Sequence, residues 1–410
     1  MRRPPDSRLM AIMLGLGFAS GLPLYLSGLT LSQWLTESGV ATAGIGMIAW
    51  LGLPYTIKFL WGPLLDQVAP PFGLRRFGRR RGWLLVVQPP LAVAVVVLAW
   101  SEPTVRPLVT VLAALSIALF SATQDIAIDA WRIETFPPDR QGWANAVYVW
   151  GYRLAMFCAF SGVLWLVPVF SWHGALLAVA CVVGASVVLT VFMPEPPLPA
   201  IVVRKDRWAA VAASLTDLLS RRGAILALGY VALFNLGEAL AGALLTKFYA
   251  HLGFDRSVVA KALGVFPLFA TMAGIGCGGL VVARLGLARA MIATGFLQMA
   301  AMALYIVLAV TASLNLLYLN SVTESFVQGM ATAAFLAFMS TLCRPAYAAT
   351  QFALLTSLAP LAARTVGGFS GFLQPQVGWP AFYTIAMLGS LPAMVLMLIL
   401  LRQDQRLRQT

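Results

Sequence analysis

PLVTVLAALSIALFSATQDIAIDAW, Pro107–Trp131, carries no charge until Asp125 and then a second acid at Asp129. About 20 apolar residues in a row are what a helix needs to cross the hydrocarbon of a bilayer. A charge near the bilayer centre costs ~2.5–3.5 kcal/mol on insertion scales, so such residues face a partner or a polar interior rather than lipid. Asp125 and Asp129 are four residues apart, which puts both on one face of the helix. The stretch therefore reads as a membrane span whose inner face is built around carboxylates.

The rest of the chain agrees. Of its 410 residues 60% are hydrophobic and only 10% charged, with a mean hydropathy of +0.84. A soluble protein has about a quarter of its residues charged, so the solvent of this one is mostly lipid. Apolar segments run roughly over 9–30, 43–65, 83–101, 107–131, 142–166, 173–193, 223–247, 257–282, 288–311, 314–342, 349–373 and 379–401. The pattern predicts an all-α integral membrane protein of twelve transmembrane helices in two six-helix halves, 1–193 and 223–410. The linker 194–222 begins PEPPLPA, whose prolines forbid a continuous helix. It continues into a short amphipathic helix with Trp208, Val211, Leu215, Leu218 and Leu219 on one face.

The net charge is +13, but the cations lie in short loops, where they set topology rather than bind nucleic acid. With the N-terminus inside, the cytoplasmic side collects Arg2, Arg3 and Arg8, the Arg75–Arg81 cluster, Arg132, Arg140 and the linker cations. It also collects Arg284, Arg289, Arg344 and the C-terminal arginines. The other side shows Arg106, Arg256 and Lys247. Both termini are expected in the cytoplasm. Trp34, Trp83, Trp172 and Trp379 fall at span ends and read as an interfacial belt.

Leaving aside the span-end Lys247 and Arg289, the charged candidates inside the spans are Lys58, Asp125, Asp129, Arg153, Glu238, Lys261, Glu324 and Arg364. Two carboxylates as close as Asp125 and Asp129 cannot both ionise cheaply in a poorly hydrated cavity, which suits a proton carrier. The alternative for Asp129 is a gate paired with Arg132. Arg153, midway along the fifth span, needs an anion, either a substrate group or Asp125 in a standing pair. Glu238 and Lys58 are further candidates for substrate contact, and Glu324 fits helix packing as well as function. There is no nucleotide-binding loop, no nucleophile elbow and no metal-ligand spacing, so neither an enzyme nor a nucleotide-driven pump is indicated. No cofactor is expected beyond a coupling ion.

Two passages mark the halves as related. GPLLD, Gly62–Asp66, ends the second span before a basic loop, and GLVVARLGLAR, Gly279–Arg289, ends the eighth. This loop signature, with Asp66 and Arg284 in its polar positions, resembles that of the major facilitator superfamily, although Ala283 replaces the acid in the second copy. The resemblance implies a substrate site between the halves near the midplane.

A narrower resemblance covers nearly the whole chain. LGFASGLPL (Leu16–Leu24), YTIKFLWGPLLD (Tyr55–Asp66), GRRRGWLL (Gly78–Leu85), ATQDIAIDAWRIE (Ala122–Glu134), GYRLAM (Gly151–Met156), NLGEAL (Asn235–Leu240) and ATQFALL (Ala349–Leu355) are similar to AmpG-type muropeptide permeases. The resemblance implies proton-driven import of N-acetylglucosaminyl-anhydromuramyl peptides across a bacterial inner membrane for cell-wall recycling. The protein is expected to be a monomer. On this reading Gln124, Asp125 and Arg153 face the substrate from the first half, and Asn235, Glu238 and Gln351 complete the site from the second. Acetyl-coenzyme A transporters look similar around Asp125, so a transporter of another solute, such as acetyl-coenzyme A or a sugar, is the alternative.

Overall fold

The computed structural model describes residues 7–62, 65, 68–136, 141–196, 216–221, 223–342 and 348–409. All regular structure among them is helical. Nine runs among the described residues are long and apolar enough to cross a membrane. Two of these runs are interrupted. Ser171 leaves helical geometry at φ 57° and ψ 176°, and Gly378 does so at φ 73° and ψ 169°. With those corners recognised, and with one shorter apolar helix and Ala348–Gly367 added, the spans number twelve. In chain order they are α1 Ser7–Glu37, α2 Thr42–Ile57, α3 Arg79–Ala99, α4 Pro107–Thr135, α5 141–170, α6 172–192, α7 Ala224–His251, α8 Arg256–Leu285, α9 Leu287–Thr311, α10 Leu314–Thr341, α11 348–377 and α12 379–409.

Two spans expected to be continuous are not. The span expected over 43–65 is a string of short pieces, Thr42–Gly46, Ile48–Leu51 and Leu53–Ile57, followed by a 3-10 turn at Lys58–Leu60. Pro54 opens the third piece, where its missing N–H costs no helical bond. The seventh span is interrupted at Asn235 (φ −98°, ψ 15°) and again at Leu244 (φ −115°, ψ 13°). Backbone groups freed at a break must find partners at membrane depth, and interrupted spans in transporters lie at their binding sites. Lys58, Asn235 and Glu238 all sit at these interruptions. Three π turns add further irregularity, at Leu26–Thr30, Cys158–Gly162 and Lys261–Val265.

Packing divides the chain into two compact units. One gathers residues 1–41 and 51–202, the other 42–50 and 203–410. In lipid the hydrophobic effect gives helices little reason to associate, so close approach through small residues does the work. In the first unit Gly17 and Gly21 on α1 lie directly over the backbone oxygens of Tyr148 and Tyr152 on α5, and Gly151 on α5 lies over Leu14 O. Thr30 Oγ1 donates to Ala159 O at 2.7 Å, joining the π turns of the same two helices. In the second unit Gly274 and Gly278 on α8 pack on the backbone of α10. A methyl at Gly278 would sit 2.6 Å from Met330 O.

The basic loop of the first unit is tied down by acids that the charge pattern did not pair. Arg80, 3% exposed, forks onto Glu134 with Nε 3.0 Å from Oε2 and a terminal nitrogen 2.5 Å from Oε1. Glu195 accepts the backbone N–H groups of Arg80 at 2.7 Å and Arg81 at 3.0 Å, capping the start of α3. The tryptophan belt is corrected here. Trp34, Trp83 and Trp379 are each under 10% exposed, and Trp34 stacks on Trp172 with centroids 5.7 Å apart. They seal helix ends within the protein. Asp66 and most of the linker, including Trp208, Val211 and Leu215, lie outside the described residues. Leu218 packs into the apolar core of the second unit, and Leu219 is exposed.

Candidate functional site

Each unit carries its own buried polar cluster. In the first, Asp125 on α4 is 6% exposed. Ser20 Oγ on α1 donates to its Oδ1 at 2.5 Å, and Lys58 Nζ lies 3.5 Å from Oδ2. Ser20 Oγ also shares a 2.8 Å hydrogen bond with Tyr148 OH on α5. The carboxylate on α4 is therefore met by α1 and by the 3-10 turn after α2, and α5 joins through Ser20. Lys58 reaches it because the breaks in α2 end in a 3-10 turn at that residue. Ser20 and Tyr148 were not singled out in the sequence, although Ser20 is a lone hydroxyl in the apolar run LGFASGLPL.

One turn along α4, Asp129 is 41% exposed at its side chain and pairs with Arg132 at 3.2 Å. The Arg132 guanidinium also lies over the Tyr148 ring at 5.7 Å. Arg153 on α5 is half-buried and lies within electrostatic range of Tyr25 and Tyr152. It forms none of the ion pairs among the described residues. The standing Arg153–Asp125 pair weighed above is thus replaced by Lys58–Asp125.

Gln124 is corrected. It is fully buried, and its Nε2 donates to Ala19 O at 2.9 Å, which pins α4 to α1. Adjacent helical residues point 100° apart, so Gln124 and Asp125 do not address the same space. Gln351 is corrected as well. Also fully buried, it donates to Asp217 Oδ2 at 2.9 Å and accepts from Arg221 at 3.3 Å. It locks α11 to the end of the linker. Arg284 is exposed at the end of α8.

In the second unit Glu238 on α7 accepts from Gln298 Nε2 on α9 at 3.0 Å. The same nitrogen donates to Gln328 Oε1 on α10 at 2.7 Å. Glu324 lies one turn before Gln328 and within electrostatic range of Glu238. Asn235, at the break before Glu238, has a buried Oδ1 with no hydrogen-bond partner. The two glutamines were not foreseen. They lie in separate spans, and a neutral amide leaves no charge signal in an apolar run. No group of three His, Cys, Asp or Glu suited to a metal occurs among the described residues.

The Major Facilitator Superfamily model matches residues 13–364. The anhydromuropeptide permease of Escherichia coli K12 is 38% identical over 393 residues, covering 95% of this chain and 79% of that protein. A putative transporter AmpG 4 of Rickettsia felis is 32% identical over 408 residues, covering 96% and 97%. Among solved structures, the nucleoside transporter NupG superposes with a TM-score of 0.70 at 14% identity over 96% of this chain and 98% of that one. A POT family transporter in complex with 5-aminolevulinic acid gives 0.73 at 11% identity, over 97% and 96%. At those identities the structures support the fold alone.

Proposed function

Because the chain belongs to the major facilitator superfamily and, within it, to the anhydromuropeptide permease family, we propose that it imports anhydromuropeptides into the bacterial cytoplasm together with protons. It is a transporter and not an enzyme. The observation that carries the substrate is the 38% identity over 95% of the chain to a permease of that name. The proton assignment rests on the first unit's cluster.

Asp125 holds the Lys58 ammonium at 3.5 Å. Protonation of Asp125 removes the charge that holds Lys58 and frees the ammonium for a substrate carboxylate. Binding of the anion and of the proton then favour each other, and the coupling is reciprocal. Asp129, more exposed and paired with Arg132, passes the proton on or holds the exit shut. Arg153, which forms no ion pair among the described residues, takes a second carboxylate in a bidentate fork.

Arg153→Ala is expected to weaken anhydromuropeptide binding by about ten- to a hundredfold, the loss of one charge-assisted contact, with normal melting in detergent. Arg153→Lys recovers only part of the loss. A collapse of melting would make Arg153 structural instead. Uptake of labelled anhydromuropeptide into proteoliposomes tests the function directly, and transport of acetyl-coenzyme A or a sugar in its place would overturn the substrate.

The distribution of Lys and Arg supports a cytoplasmic position for both termini. In a variant without native cysteines, Ser38→Cys should react with an impermeant thiol reagent from outside and Leu198→Cys should not. Outside labelling at 198 would reverse the orientation.

A further inference from the structure

Inside the spans of the second unit, two acids stand with no ion-pair partner among the described residues. Glu238 on α7 and Glu324 on α10 are within each other's electrostatic range. The groups facing them are Gln298 and Tyr305 from α9, Gln328 from α10, Tyr249 from α7 and Tyr383 from α12. None of these is basic. Gln298 gives its Nε2 to Glu238 and Gln328, Gln328 also hydrogen-bonds Glu238, and both donors are neutral amides.

Around the acids are polar atoms with nothing to bind. Asn320 is fully buried one turn before Glu324 on the same face of α10, and neither of its amide atoms has a hydrogen-bond partner. Asn235 Oδ1, one turn before Glu238 on α7, is buried and unpartnered too. Tyr305 and Tyr383 stack beside Glu324 with ring centroids 4.9 Å apart and planes 11° apart.

A bare proton would neutralise one carboxylate and leave Asn235 Oδ1 and Asn320 Oδ1 empty. A primary ammonium supplies one positive charge and three N–H donors, and stacked aromatic faces attract such a cation. Both glutamates keep part of their surface accessible, so a ligand group can reach them. We propose that Glu238 and Glu324, with Asn235, Asn320 and the Tyr305–Tyr383 pair, bind a primary ammonium group of the transported molecule. This rests on the anhydromuropeptide reading, since a stem peptide containing a diamino acid carries a free amine as well as carboxylates.

The test compares two compounds in equilibrium binding to the purified full-length protein. One is an N-acetylglucosaminyl-anhydromuramyl peptide whose diamino acid keeps its free amine. The other is the same molecule acetylated at that amine. Wild-type protein is expected to prefer the free amine by about ten- to a hundredfold. Glu324→Gln and Glu238→Gln should each erase the preference by losing affinity for the free amine. Glu324→Asp, which keeps the charge, should retain part of it, and melting in detergent identifies any variant that fails to fold. Equal wild-type binding of both compounds overturns this inference alone. So does an equal loss for both compounds in folded Glu324→Gln, the result expected of a proton site or a structural acid. Wild-type binding of neither compound overturns the functional reading along with it.

Discussion

Asp125→Asn should abolish accumulation of substrate against a gradient while leaving substrate-for-substrate exchange intact. Asparagine is close to an isostere of the protonated aspartic acid. It keeps an acceptor for Ser20 Oγ, which lies 2.5 Å from Oδ1, but it no longer holds the Lys58 ammonium, which lies 3.5 Å from Oδ2. The variant therefore behaves as if always protonated. Exchange needs no net proton movement and survives, whereas uphill uptake has lost its driving ion.

The same argument fixes a pH dependence and its sign. In the wild type the anion binds best when Asp125 carries a proton, so apparent affinity falls as pH rises, by at most about tenfold per pH unit for one coupled proton. In Asp125→Asn the slope should vanish. Lys58→Gln should lose affinity at every pH, because the cation is gone whether or not Asp125 is protonated. Removing one partner of a fully buried pair costs about 3–5 kcal/mol. Lys58 is 31% exposed at its side chain, so the stability cost of stranding it in Asp125→Asn should fall well below that range. Uphill accumulation by folded Asp125→Asn, or a wild-type pH slope retained in it, would place the coupling proton on another group.

Much of this architecture was legible in the sequence because lipid imposes one strong rule. A span must be apolar and about 20 residues long, so the positions of the twelve spans could be read from hydropathy. Even the corner at Ser171 fell where the sequence separates the fifth and sixth spans. Hydropathy does not report helix continuity. LGLPYTIK still falls within the apolar run expected over 43–65, yet α2 is broken there. Rotational phase was the other blind spot. TQDIAID contributes Asp125 to the polar cluster and turns Gln124 into the α1 contact, and ATQFALL turns Gln351 onto Asp217. The Glu238 cluster was half visible. Its acid disturbs the apolar run, but Gln298 and Gln328 come from spans whose meeting only the fold determines.

Gly151→Leu should cost the folded protein itself. Between helices in lipid the attraction comes from close packing and hydrogen bonds, and neither survives separation of the backbones. Gly151 lies over Leu14 O, and Gly17 and Gly21 answer it from α1 against Tyr148 and Tyr152. A side chain at any of the three has backbone in its way, so the helices must part. Overpacking a core costs about 1–3 kcal/mol, and more where the obstacle is backbone. Parting α1 from α5 also breaks the hydrogen bond from Thr30 to Ala159 O and separates Ser20 from Tyr148, which dismantles the surroundings of Asp125. The expected result is little or no protein recovered from membranes as a monodisperse peak, and a graded loss of melting temperature for Gly151→Ala, whose single methyl already meets the carbonyl. Gly184 on α6 supplies the control, because a Cβ there meets nothing within 4 Å. Gly184→Leu adds the same bulk to a span of the same unit and should melt like the wild type. If Gly151→Leu and Gly184→Leu are recovered in equal yield with equal melting temperatures, close approach of α1 to α5 is not what holds the first unit together.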